Sequence, residues 1–419
     1  MYRLNFFGRV RMNKLQLRRY AKLLAKTGVN VKKGQWVIVQ AELDQPEFVE
    51  MVVEELYRAG AGKVTVEWSH LPVAGLHYKY QSTESLSETQ KWEIEKWDLK
   101  KKELPAMLYL ESSDPDGLKG IDQDKFTAVR SARTKVIKPY RDEMDNNYQW
   151  CIAAVPGKAW AKKVFPNLNV TQAVEKLWEA ILKASRADVA DPVREWANHN
   201  DEIARRCNYL NRLGLAALEY KAKNGTDFKV GLIDGSFFMG GGEESLKGRY
   251  FNPNIPTEEI FISPKAGEAE GIVYATKPLS YQGELIEDFS LRFENGKVVE
   301  VKAKKNVDLL EKMISMDEGA KMLGECALIP HDSPINNLGI LFYNTLFDEN
   351  ASCHLALGHG FTNCVKGYEN MTKEELTKRG VNDSLIHVDF MIGSRDLEIT
   401  GITSRGARVP ILTYGNWAF

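Results

Sequence analysis

Gln35-Trp-Val-Ile-Val-Gln40 and Lys63-Val-Thr-Val-Glu-Trp68 are short runs rich in β-branched and apolar residues, and an amphipathic segment from Gln45 to Gly60 separates them. Each run is typical of a buried strand, and the segment between them is typical of a helix that ends at a glycine. A strand, a helix and a strand in this order predict two parallel strands with a right-handed crossover. The first half of the chain is therefore expected to be an α/β domain with a parallel sheet.

The loop after the first strand bears on what this domain does. Its sequence is Ala41-Glu-Leu-Asp-Gln-Pro46, which contains no glycine. A dinucleotide-binding fold carries Gly-x-Gly-x-x-Gly at this place, because the glycines let the backbone approach the pyrophosphate. We therefore expect a Rossmann-like domain without the dinucleotide fingerprint, which serves as a scaffold.

The boundary between two domains is predicted near residue 190. Asp188 to Pro192 interrupts two strong helical patterns with aspartate, alanine and proline, which favours a domain of residues 13–190 and a second of residues 191–419. The other elements predicted in the first domain are helices at Asn13–Lys26, Thr83–Lys102, Gln123–Lys135 and Val170–Ser185, and strands at Ala106–Glu111 and Trp150–Val155.

The second domain is expected to be a strand-rich α+β domain that carries the catalytic site. Asn295-Gly296 joins two strand patterns and is a strong hairpin signal. The predicted strands are Phe228–Leu232, Glu259–Ile262, Gly271–Ala275, Leu291–Phe293, Lys297–Val301 and Ala327–Ile329, with helices at Pro192–Gly214, Asn306–Met316 and Lys373–Arg379.

Composition narrows the function classes. The 56 basic and 57 acidic residues nearly cancel, so no net field favours nucleic acid or an anionic membrane surface. No apolar stretch approaches the roughly 20 residues that span a bilayer. Specificity is expected from a local site.

The five cysteines and the first residues indicate the compartment. Five is an odd number and no Cys-x-x-Cys pair occurs, so free thiols in a reducing compartment are expected. Met1 to Met12 has neither the apolar core nor the cleavage site of a signal peptide. We interpret it as a vector-derived or upstream extension with the natural start at Met12, and we expect a cytoplasmic protein.

Candidate metal ligands lie in the strand pattern Leu385–Ile392. His387 and Asp389 are two residues apart, so in an extended chain both side chains leave the same face. An imidazole beside a carboxylate suits a borderline divalent cation such as zinc. A His-x-Asp pair alone is a weak signal.

Three further residues raise the significance of this pair. His354 precedes a small-residue turn, Glu325 stands at the head of a strand after a glycine, and Glu259 begins another strand after a proline turn. Side chains alternate along a strand, so the side chain of Cys326 is expected on the face opposite to that of Glu325. Two glutamates, two histidines and one aspartate are the ligand set of a site that holds two divalent ions.

Four stretches of the second half resemble the thermophilic-type metalloaminopeptidases, the aminopeptidase T and aminopeptidase S family. The resemblance covers nearly the whole chain after Met12. Its strings are Asn254-Ile-Pro-Thr-Glu-Glu-Ile-Phe261, Leu323-Gly-Glu-Cys-Ala-Leu-Ile-Pro330, Phe342 to Gly358 and His387-Val-Asp-Phe-Met-Ile-Gly393. The resemblance implies a two-domain, homodimeric exopeptidase that removes N-terminal residues from peptides with two divalent ions. It also implies the metal ligands Glu259, Glu325, His354, His387 and Asp389.

Within this resemblance several roles stay open. It favours Glu259 over Glu258 as ligand, while a carboxylate that carries the proton could be Glu325 or Glu258. The family places a tyrosine seven residues after the first ligand histidine, and this sequence has Phe361 there, which can neither ligate nor donate a hydrogen bond. Tyr368 is a possible substitute. Reduced activity or altered substrate choice would follow from the phenylalanine.

Two alternatives to an aminopeptidase remain at this point. One is another two-metal hydrolase of amides or phosphoesters, for which Arg395, Arg405 and Arg408 are the nearby phosphate-binding candidates. The other is a peptide-binding homologue with weakened catalysis, which Phe361 makes plausible. The ligand types accept zinc, cobalt or manganese, so the sequence does not select the metal.

Overall fold

The first sheet contains the predicted strand, helix and strand unit. The computed structural model, which describes residues 13–419, pairs Trp36–Glu42 in parallel with Lys63–Ser69, and helix Pro46–Ala59 connects them. Proline is tolerated at the start of this helix because its first N–H groups have no partner in the helix. Gly60 ends the helix with a left-handed φ of 116°. The βαβ prediction is confirmed, whereas the interpretation of Met1–Met12 concerns residues outside the described range.

One strand of this sheet comes from far along the chain. Asn254–Ile255 pairs in parallel with Trp150–Ala154 at one edge, so the second half extends the sheet of the first. Ile255 and Phe342 are also buried in the first hydrophobic core. The division into two domains near residue 190 stays a prediction. The sheet order is Asn254–Ile255, Trp150–Ala154, Ala106–Glu111, Trp36–Glu42 and Lys63–Ser69.

The helices around this sheet differ in detail from the prediction. Thr83–Lys102 is two helices because Gln90 and Glu93 form a capping box that starts the second one. The helix predicted to end at Lys135 continues to Met144. The observed helices are Lys14–Leu23 with a π-helical turn Leu24–Gly28, then Leu71–Tyr80, Thr83–Ser87, Lys91–Glu103, Gln123–Met144, Lys158–Val164 and Val170–Ala184.

The second half is built on antiparallel strands. Its larger sheet includes the predicted hairpin, in which Asn295 and Gly296 have φ angles of 50° and 78°. The strand order is Lys297–Lys302, Ser290–Glu294, Pro264–Tyr274, Asp227–Leu232, Leu215–Lys221, Glu398–Thr403, Arg408–Thr413 and Asn416–Trp417. The α-helices of this half are Pro192–Arg212, Val307–Ile314, Thr345–Asn350 and Lys373–Arg379, and Tyr368–Asn370 is one of its short 3₁₀ helices.

A smaller antiparallel sheet carries the candidate site. One of its faces packs into the second hydrophobic core through Cys326, Leu355, Leu357 and Phe390. Side chains alternate along a strand, so the neighbouring residues occupy the other face. The strand order is His387–Met391, His354–Gly358, Leu323–Leu328, Ile260–Ile262 and Met239–Gly240.

The expected fold class, a parallel α/β part followed by a strand-rich α+β part, is confirmed by the two halves. Two short hairpins complete the second half, Glu243–Glu244 with Tyr250–Phe251 and Leu279–Tyr281 with Glu284–Ile286. Among residues 13–419, no helix has the length and apolar character that crossing a bilayer requires.

Candidate metal centre

Two of the carboxylates face each other across the strand His354–Gly358 of the small sheet. Glu325 is opposite Ala356, and Ala356 is in turn opposite Asp389. The side chain between the two acids is only a methyl group, so it leaves open space above the sheet. His387, two residues before Asp389, is on the same face. The predicted His-x-Asp pair therefore lies beside Glu325.

The remaining two predicted ligands reach the same face from neighbouring strands. His354 is opposite Ala327, two residues after Glu325, and Glu259 directly precedes the strand Ile260–Ile262. Ligand atoms of Glu259, Glu325 and His354 lie within 4.8 Å of one another, and so do those of Glu325, His387 and Asp389. Glu325 belongs to both groups. The structure thus brings together all five residues that the sequence nominated.

The two histidines are both held through their Nδ1 atoms. His387 Nδ1 is 2.7 Å from the carbonyl oxygen of His359, and His354 Nδ1 is 3.1 Å from the carbonyl oxygens of Glu349 and Ser352. Because a carbonyl only accepts, each Nδ1 carries a hydrogen, so Nε2 is the ring atom that faces the carboxylates and is left to bind a cation. This arrangement is the usual outer support of a metal-binding histidine.

The electrostatics of the group fit a cation. Burial and then the charge of Glu325 raise the pKa of Glu259 well above its usual range. Burial alone would raise the pKa of Asp389, but the charge of His387 lowers it to about 2. The buried Asp389 Oδ1 accepts no hydrogen bond from residues 13–419. Crowded carboxylates with an unused acceptor are stabilised by a nearby positive charge.

One acid at this centre was not predicted from the sequence. Glu349 lies in the last turn of the helix Thr345–Asn350 and lines the cavity in front of the metal group. Burial and then the charge of Asp389 raise the pKa of Glu349 well above its usual range. The available signal was its position five residues before His354, in the run Asp348-Glu349-Asn350.

Glu258, by contrast, has a partner of its own. The carboxylate of Glu258 accepts two hydrogen bonds from the Arg186 guanidinium. In an extended chain adjacent side chains point to opposite sides, which agrees with Glu259 facing Glu325 while Glu258 faces Arg186. The sequence could not indicate this pairing, because Arg186 is 72 residues away.

Phe361 lines the cavity beside the ligands. Its ring centroid is 5.1 Å from that of His387 and 5.1 Å from that of Phe261. Tyr368 packs instead in a small separate cluster with Val365 and Leu376.

The cavity in front of the metal group has a volume of about 860 Å³ and is lined by both halves of the chain. The arginines nominated from the sequence are engaged elsewhere or exposed: Arg395 contacts His331, and Arg408 pairs with Glu219. Arg405 is exposed. Arginines on the cavity wall come from the helix Gln123–Met144, namely Arg130, Arg133 and Arg141.

Comparisons with known proteins agree with this geometry. Residues 13–417 match the sequence profile of the thermophilic metalloprotease (M29) family. Aminopeptidase AmpS of Bacillus subtilis is 43% identical over 405 residues, which are 96% of this chain and 98% of that protein. Aminopeptidase T of Thermus thermophilus is 38% identical over 405 residues, which are again 96% of this chain and 98% of that protein.

A solved structure agrees as well. Wild-type AmpT from Thermus thermophilus superposes with a TM-score of 0.89 at 37% identity, over 97% of this chain and 100% of that chain. The resemblance and the metal-dependent peptidase class predicted from the sequence are thereby confirmed. With a profile match over almost its whole length, this chain belongs to the thermophilic metalloprotease (M29) family.

Proposed function

We propose that this chain is an aminopeptidase that hydrolyses the first peptide bond of its substrate with two divalent cations. Glu259, Glu325 and His354 would hold one cation, and Glu325, His387 and Asp389 the other. The observation that carries this proposal is that Glu325 belongs to both ligand groups. A carboxylate shared by two groups supplies the negative charge that two neighbouring dications need between them.

The chemistry of the donors limits the cation. When bound, divalent ions of this kind act as Lewis acids that polarise a carbonyl group and lower the pKa of water. Imidazole nitrogen and carboxylate oxygen accept zinc, cobalt or manganese, and availability decides among them. The sulfur atoms of Cys326 and Cys353 are buried in the core behind the sheet, so they do not add soft ligands.

We assign the proton transfer to Glu349. It lines the cavity, contacts the metal group and belongs to neither ligand group. A positioned carboxylate of this kind accepts the proton of the attacking water and passes it to the leaving amine. Of the two candidates from the sequence, Glu325 serves as a metal ligand, and the carboxylate of Glu258 is paired with Arg186.

The charges of the cavity suit a peptide. With cations bound, the metal group would hold the neutral α-amino group of a peptide, because an amine nitrogen can ligate a divalent cation. Arg130 lines the same cavity, and its positive charge favours the carboxylate-bearing part of the peptide. Cleavage next to the free amino group follows from this orientation.

An assay with paired substrates tests the proposal. The metal-loaded protein is incubated with an aminoacyl-anilide, with its N-acetylated form and with a phosphoester. Cleavage of the free anilide alone is the expected result. Cleavage of the acetylated substrate or the phosphoester would favour another two-metal hydrolase, and binding of peptides without cleavage would favour a weakened homologue.

We also propose a homodimer in the cytoplasm. The helix Leu71–Tyr80 is rich in apolar residues, yet none of them is buried, which suits a surface that a second copy covers. The five cysteines are all free, as expected for a reducing compartment. Light scattering on the eluting protein gives its mass, and fractionation of the source cells gives its location.

A further inference from the structure

Glu259 lies where the chain crosses from one sheet to the other. Asn254–Ile255 belongs to the parallel sheet and Ile260–Ile262 to the small antiparallel sheet. Only residues 256–259 make the crossing, and Glu259 is the last of them. The position of this ligand therefore depends on how firmly the crossing is held.

Three contacts from three separate elements hold the crossing. His199 Nε2 is 2.7 Å from the carbonyl oxygen of Thr257, and the N–H of Glu258 donates to Asn350 Oδ1 at 3.1 Å. Arg186 donates twice to the Glu258 carboxylate, with 3.0 Å between Nη2 and Oε2. The backbone and the side chain of the residue before Glu259 are thus both fixed.

The Arg186 and Glu258 pair is shielded from solvent, with side chains 16% and 8% exposed. Two parallel N–H donors give the pair a defined orientation as well as a favourable energy. Arg186 is itself held in place, because it follows the helix Val170–Ala184 and the preceding carbonyl of Ser185 accepts from Trp196 Nε1 at 2.7 Å. The first core is thereby connected to the metal centre.

We propose that Glu258 is a positioning residue: through Arg186 it fixes the crossing so that Glu259 presents its carboxylate to the metal group. This inference rests on the proposed function, because Glu259 matters only as a ligand. It gives the two adjacent glutamates different tasks. Glu259 binds the cation, and Glu258 holds the backbone from the opposite side.

Metal affinity distinguishes this role from proton transfer. Zinc is titrated calorimetrically into the chelator-treated full chain and into Glu258→Gln, which has nearly the same shape and lacks the charge. We expect about 10- to 100-fold weaker binding at the site of Glu259. Glu55→Gln is the matched control, because Glu55 is also buried and paired with an arginine, Arg58, at 2.9 Å. Its zinc affinity should equal that of the unmodified chain.

Activity at excess zinc provides the second readout. A positioning role predicts that the activity of Glu258→Gln recovers as zinc saturates the weakened site. Unchanged zinc affinity in this variant overturns the inference, whether kcat is lost or kept. If the unmodified chain binds no zinc, cobalt or manganese, the proposed function fails and this inference fails with it.

A conservative variant covers the case in which Glu258→Gln does not fold, as judged by circular dichroism. Arg186→Lys keeps the positive charge but loses the two-pronged donor. Its zinc affinity should be weakened, though less than that of Arg186→Gln. Equal affinity in Arg186→Lys, Arg186→Gln and the unmodified chain would also overturn the inference.

Discussion

Glu325 Oε2 lies 3.0 Å from His387 Nε2, although the two residues come from strands that are not adjacent in the small sheet. In the strand between them, the residue opposite Glu325 is Ala356. Only its methyl group therefore separates the Glu325 carboxylate from His387 and Asp389. Glu325 is therefore central to the group: it reaches His387 and Asp389 on one side, and Glu259 and His354 on the other.

Replacing Glu325 with glutamine should release both ions. The amide is neutral and cannot supply the shared negative charge, so we expect a loss of activity of at least about 100-fold. His354→Ala removes a ligand of one group only and should retain one ion. Elemental analysis of the dialysed proteins measures the metal content. Two retained ions in Glu325→Gln would contradict the shared role.

Replacing Glu349 with glutamine should separate catalysis from metal binding. The amide cannot accept a proton, so kcat should fall by roughly 10²- to 10⁴-fold, while the metal content stays that of the unmodified chain. Glu369→Gln, an exposed glutamate in a short 3₁₀ helix, is the control and should change neither. Near-normal kcat in Glu349→Gln would show that another group carries the proton.

The local parts of the fold and of the site were predictable from the sequence because their signals are local. The βαβ unit follows from strand and helix periodicity with a terminal glycine, and the hairpin follows from Asn295-Gly296. His387 and Asp389 share a face because side chains alternate along any strand. The same rule correctly placed Cys326 in the core behind Glu325.

Long-range pairing was not predictable in the same way. Asn254–Ile255 is too short to show a strand period, and its partner strand lies about 100 residues earlier. The tasks of Glu258 and Glu349 depend on Arg186 and Asp389, which periodicity does not connect to them. The resemblance to the aminopeptidase family identified the metal ligands but not these contacts, because a match between sequences compares residue types and contains no distances.

Stability should depend on pH through Glu243. Its Oε2 accepts from Asn363 Nδ2 at 3.3 Å, and burial, followed by the charge of Asp145, raises its pKa from 4.5 to about 7. The folded state therefore holds the proton more tightly than the unfolded state. The resulting stabilisation is complete below pH 4.5 and is lost as the pH rises through about 7.

Glu243→Gln should remove this dependence, because the amide stays neutral. Relative to the unmodified chain, its free energy of unfolding should rise by roughly 1–3 kcal/mol between pH 5 and pH 8. Urea unfolding at the two pH values measures the difference at equal metal saturation. The neighbouring exposed Glu244 provides the control Glu244→Gln. A parallel pH dependence in all three proteins would refute the assignment.

Phe361→Tyr should raise the activity. The ring lines the cavity and packs against His387 and Phe261, so a tyrosine can keep these contacts and add one hydroxyl donor. A donor at this place can stabilise the oxyanion that forms at the scissile carbonyl. One hydrogen bond to a charged group is worth on the order of a tenfold increase in kcat. Steady-state kinetics with an aminoacyl-anilide measures it.

The variant Phe261→Tyr tests whether a gain in activity comes from a hydrogen-bond donor at position 361 or only from a more polar cavity. Phe261 lines the same cavity beside Phe361, so its variant adds the same hydroxyl at a neighbouring place. We expect kcat to rise in Phe361→Tyr alone, with KM and metal content little changed, because the hydrogen bond forms only as charge develops. Equal kcat in Phe361→Tyr and the unmodified chain would mean that the phenylalanine does not limit catalysis, and that another group stabilises the oxyanion.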